Sequence, residues 1–269
     1  MPNKRNQTGT PGSQGTRTER QRRVDLLRPG PGLLERAQQA DKAIDGTRIT
    51  PGSAPLMLTV AEQEMKVANP RTPTRLRTLL SEPFNQVSVV TEYLGLTGVG
   101  GLVVERFKQS FKLPVHLMIN VTVEAPRFVL EGAESYRVPV QDDKKENISA
   151  YFDEVTAKLE EVHLKGKGAA VVHCMVGVSR SASFVLAYLM RYHQMSLEQA
   201  FRFVKQRRSV INPNLGFLEQ LAQFELQCRE GNQKLCSVWQ EHTMNSITKR
   251  LPQFIILDYI EEYEHEFEA

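Results

Sequence analysis

The 12 Phe, 7 Tyr and 1 Trp of this 269-residue chain all lie at or after Phe84. A segment without large aromatic side chains cannot bury the apolar area that offsets backbone ordering, which costs about 1–2 kcal/mol per residue. The first 30 residues hold only four apolar side chains, Met1, Val24, Leu26 and Leu27. Turn formers interrupt the stretch at Thr10-Pro11-Gly12-Ser13, Pro29-Gly30-Pro31-Gly32 and Pro51-Gly52-Ser53. Residues 1–83 are therefore expected to be a largely disordered basic arm, with transient helix around Leu33–Ile44 and Leu58–Ala68. Its arginines (Arg17, Arg20, Arg22, Arg23, Arg28) read as a solvated arm, with a nuclear-import or anionic-surface element as the competing reading. Folding is left to residues 84–231, and residues 232–269 form a C-terminal extension with an acidic end.

Charge separates function classes poorly here. The chain has 34 basic and 31 acidic residues, a net +3, which argues against a strongly basic nucleic-acid binder. No stretch approaches the roughly 18 apolar residues of a membrane span, and Met1-Pro2-Asn3-Lys4-Arg5 opens no apolar targeting region. Three cysteines do not make a disulfide scaffold and fit a reducing compartment, so a cytoplasmic or nuclear location is expected. In the C-terminal extension, the apolar run Phe254–Ile260 is too hydrophobic for a free tail and is expected to dock on the folded unit or on a partner.

From Phe84 onward, β-rich and helical patterns alternate. Strands are expected at Gln86–Val90, Glu92–Leu96, His116–Glu124, Tyr136–Val140 and Gly168–Cys174. Gly98–Phe111 reads as a Gly-led helix with Val103, Phe107 and Phe111 on one face. Ile148, Phe152, Val155, Leu159 and Val162 mark an amphipathic helix, with Asn147 as its cap. Arg180–Tyr192 is apolar nearly all round and should be a central buried helix. Ser196–Gln206, with a Ser cap and a Glu two positions on, and Asn214–Cys228 complete the set. The strands do not alternate, so an α/β sheet covered on both faces is expected.

The chemistry sits where the last apolar strand meets the central helix, in His173-Cys174-Met175-Val176-Gly177-Val178-Ser179-Arg180-Ser181. Five residues between Cys174 and Arg180 let the chain curl so that successive N–H groups converge. Together with a helix N-terminus, this makes a concave site for a tetrahedral dianion. Gly177 permits a positive φ in the curl. Arg180 offers a planar fork for two phosphate oxygens. The same positive environment favours the thiolate of Cys174, a nucleophile for phosphorus.

His173-Cys174-X5-Arg180-Ser181 resembles the signature of the protein tyrosine phosphatase superfamily. Gly177–Ser183, followed by Ala187-Tyr188-Leu189-Met190, is similar to the dual-specificity phosphatases, as is Pro213-Asn214-Leu215-Gly216-Phe217. With no rhodanese-like segment ahead of it, the chain resembles the small atypical members. The resemblance implies a central, mostly parallel sheet flanked by helices on both faces. It also implies a phosphocysteine intermediate and no metal or organic cofactor. On it, Cys174 is the nucleophile, Arg180 and the Met175–Ser179 backbone bind the phosphoryl group, and Ser181 donates to the departing thiolate. Asn214 supports the loop, and His173 fixes it from the opposite face of the strand.

The general acid of the family lies on the loop before the long amphipathic helix, which makes Asp142 the choice and Asp143 the competitor. Val176 stands where many relatives carry Ala or Gly, and Asn212 where they often carry a basic residue. The folded region is too short for the pocket-deepening segments of the classical tyrosine-specific enzymes, which implies activity on phosphoserine and phosphothreonine as well as phosphotyrosine. Met175–Ser179 hold no Lys, Arg or His, which favours phosphorylated proteins over phosphoinositides or RNA as substrate. Mitogen-activated kinases are the family-level expectation. A phosphoprotein-binding scaffold without turnover and a phosphoinositide or RNA phosphatase are the competing functions.

Overall fold

The structure, a computed structural model, describes residues 48–49, 82–102, 107, 110–125, 127–244 and 247–255. The helical stretches expected at Leu33–Ile44 and Leu58–Ala68, the basic cluster, Val103 and residues 256–269 lie outside the described residues. Within residues 1–83, Arg48–Ile49 form a strand, β1, parallel to Arg127–Phe128 (β5).

The central sheet has five strands: β2 (Ser88–Thr91), β3 (Leu94–Gly98), β4 (Val115–Asn120), β6 (Glu134–Arg137) and β7 (Ala169–Cys174). Their order is β2-β3-β7-β4-β6; only β2 runs antiparallel to its neighbour. β7 is central and wholly buried, so it reads as a continuous apolar run rather than an alternating one. Side chains still alternate across it: Ala170, Val172 and Cys174 join the larger core, and Ala169 and Val171 the smaller one.

The larger core lies under four helices: α1 (Phe152–Lys165), α2 (Arg180–Tyr192), α3 (Leu197–Lys205) and α4 (Leu215–Cys228). The first eleven residues of α2, Arg180 to Met190, are all buried, so the helix is the hub on which α1, α3 and α4 pack. The opposite face of the sheet carries a thinner layer. It comprises a 3-10 turn at Val99–Leu102 and helical backbone at Phe107 and Ser110, and Phe107 packs on Phe111 and Phe128.

Several local expectations differ, and the strand expected at Tyr136–Val140 runs over Glu134–Arg137. β4 ends at Asn120 because Thr122 turns the chain: its Oγ1 donates to Asn120 Oδ1 at 2.8 Å and accepts the Ala125 N–H at 2.8 Å. Arg137 locks this turn by donating to the Thr122 and Ala125 carbonyls, both at 2.9 Å. Asn147 does not cap α1. A 3-10 turn at Ser149–Tyr151 precedes that helix, and Asn147 Oδ1 instead accepts from Ser149 Oγ at 2.8 Å. α3 has a capping box in which Ser196 and Gln199 exchange bonds, so the partner is Gln199 and not the Glu at 198.

Beyond α4, β8 (Trp239–Met244) and β9 (Ile247–Pro252) form an antiparallel hairpin. The chain after it returns to the larger core: Phe254 and Ile255 are buried there, with Phe254 against the Phe201 ring at 5.1 Å. The buried Glu225 carboxylate ties the extension down, accepting from Leu197 N–H, Ser237 N–H and Ser237 Oγ at 2.6–3.1 Å.

Candidate active site

β7 delivers Cys174 to the C-terminal end of the sheet, and α2 begins six residues later at Arg180. Between them the chain curls around the sulfur. Gly177, at φ +76°, makes the reversal and donates its N–H to Cys174 Sγ at 3.2 Å. A side chain there is excluded, because a Cβ would lie 2.5–2.6 Å from Thr97 C, Gly98 N and Arg208 Nη2. Ser181 Oγ lies 3.2 Å from the same sulfur. Cys174 is 2% exposed and faces the first turn of α2, where free N–H groups concentrate partial positive charge.

Arg180 is buried, and its two Nη nitrogens donate to Glu124 Oε2 at 2.8 Å and Oε1 at 2.6 Å, with a third bond to the Val140 carbonyl at 3.2 Å. Burial opposes the charge on Glu124, but the bonds from Arg180 outweigh it and hold the carboxyl below the usual carboxylate range. This clamp leaves Arg180 Nε without a hydrogen bond, 3.5 Å from Asp142 Oδ2.

Asp142 stands at the rim of the loop. Its Oδ1 accepts from Ser179 Oγ at 2.7 Å and from Asn214 Nδ2 at 3.1 Å. Asp143, by contrast, turns away: its carboxylate accepts the Lys145 N–H within its own exposed turn. Asn214 caps α4 through Oδ1, which accepts the Phe217 N–H, while its own N–H donates to Ser179 Oγ at 3.3 Å. One residue thus joins α4, the loop and Asp142.

His173 lies on the opposite face of β7, fully buried. Burial pushes its imidazole down to about 4, so it is neutral at physiological pH. Its carbonyl accepts the Val121 N–H at 2.9 Å, which helps hold the end of the strand. Met175, Val176 and Val178 are half-buried in the loop, and the Asn212 N–H donates to the Val178 carbonyl at 3.0 Å.

Cys174, Arg180, Ser181, Asp142, Asn214 and the Met175–Ser179 backbone therefore converge, while Asp143 stays outside and His173 lies beneath. Sequence reasoning missed two charged residues. Glu124 clamps Arg180. Arg208, 2% exposed, donates Nε to the Gly177 carbonyl at 2.6 Å and Nη2 to the Val176 carbonyl at 2.9 Å. Neither carries a local sequence signal: both resemble surface charges, and Arg208 sits beside Arg207, which stacks on the Phe203 ring at 3.5 Å. Among the described residues no group of three His, Cys, Asp or Glu is placed to hold a metal ion.

Comparison with known proteins agrees with this geometry. Residues 103–227 match the family "Dual specificity phosphatase, catalytic domain". Dual specificity protein phosphatase 1 from Homo sapiens is 45% identical over 116 residues, which are 43% of this chain and 31% of that protein. The chain thus spans under a third of that relative. A point variant of human DUSP28, in crystal structure, is 33% identical and aligns over 54% of this chain and 97% of its own, with a TM-score of 0.49. A mouse putative dual specificity phosphatase, solved as a complex with zinc tungstate, is 29% identical over 58% of this chain and 95% of its own, with a TM-score of 0.50. With its Cys-X5-Arg loop between a buried strand and a buried helix, the region matched by the family model, residues 103–227, carries a dual-specificity phosphatase catalytic domain.

Proposed function

We propose that the chain is a cysteine-dependent dual-specificity protein phosphatase, hydrolysing phosphotyrosine and phosphoserine or phosphothreonine through a phosphocysteine. The observation that carries this is the setting of Cys174 Sγ: within 3.2 Å of both the Gly177 N–H and Ser181 Oγ, at the N-terminus of α2, with the guanidinium of Arg180 clamped in the first turn of that helix. Such a sulfur is placed to attack phosphorus and faces a cradle for a phosphoryl dianion.

On this reading the thiolate attacks phosphorus in line with the leaving oxygen, while Arg180 Nε and the inward N–H groups take the equatorial oxygens. Asp142, protonated, donates to the leaving oxygen as the P–O bond breaks and the S–P bond forms. Its carboxylate then removes a proton from the water that attacks the phosphocysteine. Ser181 donates to the sulfur as it departs, returning the thiolate and releasing phosphate. Asn214 and Ser179 hold Asp142 over the loop between the two steps.

Residues 84–231 are the catalytic domain in this reading, with 1–83 a basic arm and 232–269 an extension. Phosphorylated proteins are the substrates, with mitogen-activated kinases as the family-level class. The similarity to dual-specificity phosphatases and the absence of Lys, Arg and His from Met175–Ser179 support this. Three free cysteines support a cytoplasmic or nuclear setting.

The test is a turnover panel on the full chain: phosphotyrosine and phosphothreonine peptides, phosphoinositides and RNA 5′-phosphates. The peptides should turn over fastest, and Cys174→Ser should abolish that turnover. Faster turnover of phosphoinositide or RNA would overturn the substrate class; binding of phosphopeptide without hydrolysis would support a scaffold instead.

A further inference from the structure

A loop that turns its N–H groups toward an anion must turn its carbonyls away from it, into protein where water cannot satisfy them. Each such carbonyl therefore needs a donor. Met175 O accepts the Val99 N–H at 3.0 Å, Val178 O the Asn212 N–H at 3.0 Å, and Ser179 O the Ser183 N–H at 3.0 Å. The two carbonyls at the apex, of Val176 and Gly177, are taken by one side chain, Arg208, at 2.9 and 2.6 Å.

We propose that Arg208 is a positioning residue for the phosphatase reaction: its guanidinium holds the apex of the loop with N–H groups facing the substrate. The inference rests on the function proposed above, and three observations carry it. Arg208 is fixed from behind, since Nη1 donates to the Gln86 carbonyl at 3.1 Å and lies 3.4 Å from both Pro83 O and Ser88 Oγ. These partners and the two loop carbonyls carry no formal charge, so its positive charge is directed toward the loop rather than neutralised by a carboxylate. Finally, the guanidinium packs so closely on Gly177 that a Cβ there would lie 2.6 Å from Nη2. A planar fork bonding two successive carbonyls fixes their relative orientation, which a single ammonium cannot do. Released, the apex peptides are free to rotate, and each carbonyl turned inward replaces a donor with a repelling oxygen.

The test compares wild type, Arg208→Ala and Arg208→Lys in the full chain. It measures kcat and KM on an aryl phosphate, inhibition by tungstate, alkylation of Cys174 by iodoacetamide with and without tungstate, and circular dichroism. In Arg208→Ala, tungstate should bind roughly 10–100-fold more weakly, the scale of losing bonds from a charged group. Cys174 should still alkylate, but tungstate should no longer protect it. Arg208→Lys should fall between the two, and guanidinium ion added to Arg208→Ala should restore part of the affinity, which a general loss of fold would not allow. If Arg208→Ala does not fold, Arg208→Lys decides alone. Folded variants with wild-type tungstate affinity and KM overturn the role of Arg208. A wild type that binds no tungstate and hydrolyses no aryl phosphate overturns the phosphatase reading itself, and the role of Arg208 with it.

Discussion

Glu124 and Arg180, 56 residues apart in the chain, meet in a two-point ion pair at 2.8 and 2.6 Å, and Arg180 Nε, left without a hydrogen bond, lies 3.5 Å from Asp142 Oδ2. Arg180 without Glu124 would keep its charge but lose its bearing. Glu124→Gln should lower kcat/KM on an aryl phosphate by roughly 10–100-fold, the scale of losing hydrogen bonds made to a charged group. An unchanged kcat/KM would show that the clamp does not orient the fork.

Two neighbouring aspartates have different surroundings, and the difference assigns their roles. Asp142 touches Ser179, Asn214 and, at 3.5 Å, Arg180, whereas Asp143 is spent on its own turn. Asp142→Asn should reduce kcat by about 10²–10⁴, the usual weight of general acid catalysis, and Asp143→Asn should leave it near wild type. The reverse pattern in steady-state kinetics would transfer the acid to Asp143.

How far the site was legible in the sequence follows from how local each part is. Cys174, Gly177, Arg180 and Ser181 form one continuous turn, so spacing alone carries their geometry. Asp142 and Asn214 could be found only through the family resemblance, which puts the acid on the loop before α1 and the supporting Asn at the start of α4. Glu124 and Arg208 could not. Their partners are distant in sequence; burial separates Arg208 from surface charges such as Arg207, and only its pairing with Arg180 distinguishes the exposed Glu124. The Asn147 cap failed for a related reason: periodicity marks the apolar face of α1 but does not register the 3-10 turn at Ser149–Tyr151 that starts it. The central strand of the sheet was legible because β7, apart from His173, is apolar. The end of β4 was not, since it depends on Arg137 reaching back to the Thr122 and Ala125 carbonyls.

His173 makes stability depend on pH. An imidazole of ordinary value 6.5 is pushed down to about 4 by burial in the folded chain, so between these values the unfolded state binds the extra proton. The stability held above pH 6.5 is therefore lost as pH falls toward 4, by roughly 3 kcal/mol at about 1.4 kcal/mol per unit. Thermal melts of wild type and His173→Asn should diverge in slope over this range, with the variant losing less. Parallel curves would mean that His173 is protonated in the fold.

Phe254 ties the C-terminal extension to the catalytic unit. It is 1% exposed and packs on Phe201 in the core beneath α2 and α3, so Phe254→Ala should cost about 3–5 kcal/mol by denaturant unfolding. A loss below about 1 kcal/mol would mean that the extension is not part of the cooperative unit.

The central claim is that Cys174 carries the phosphoryl group between substrate and water. Mass spectrometry of the full chain, quenched during turnover of an aryl phosphate, tests it most directly. The expected result is a phosphate adduct on the peptide containing Cys174, absent in Cys174→Ser together with all turnover. Turnover that persists in Cys174→Ser, or an adduct on another residue, would contradict it.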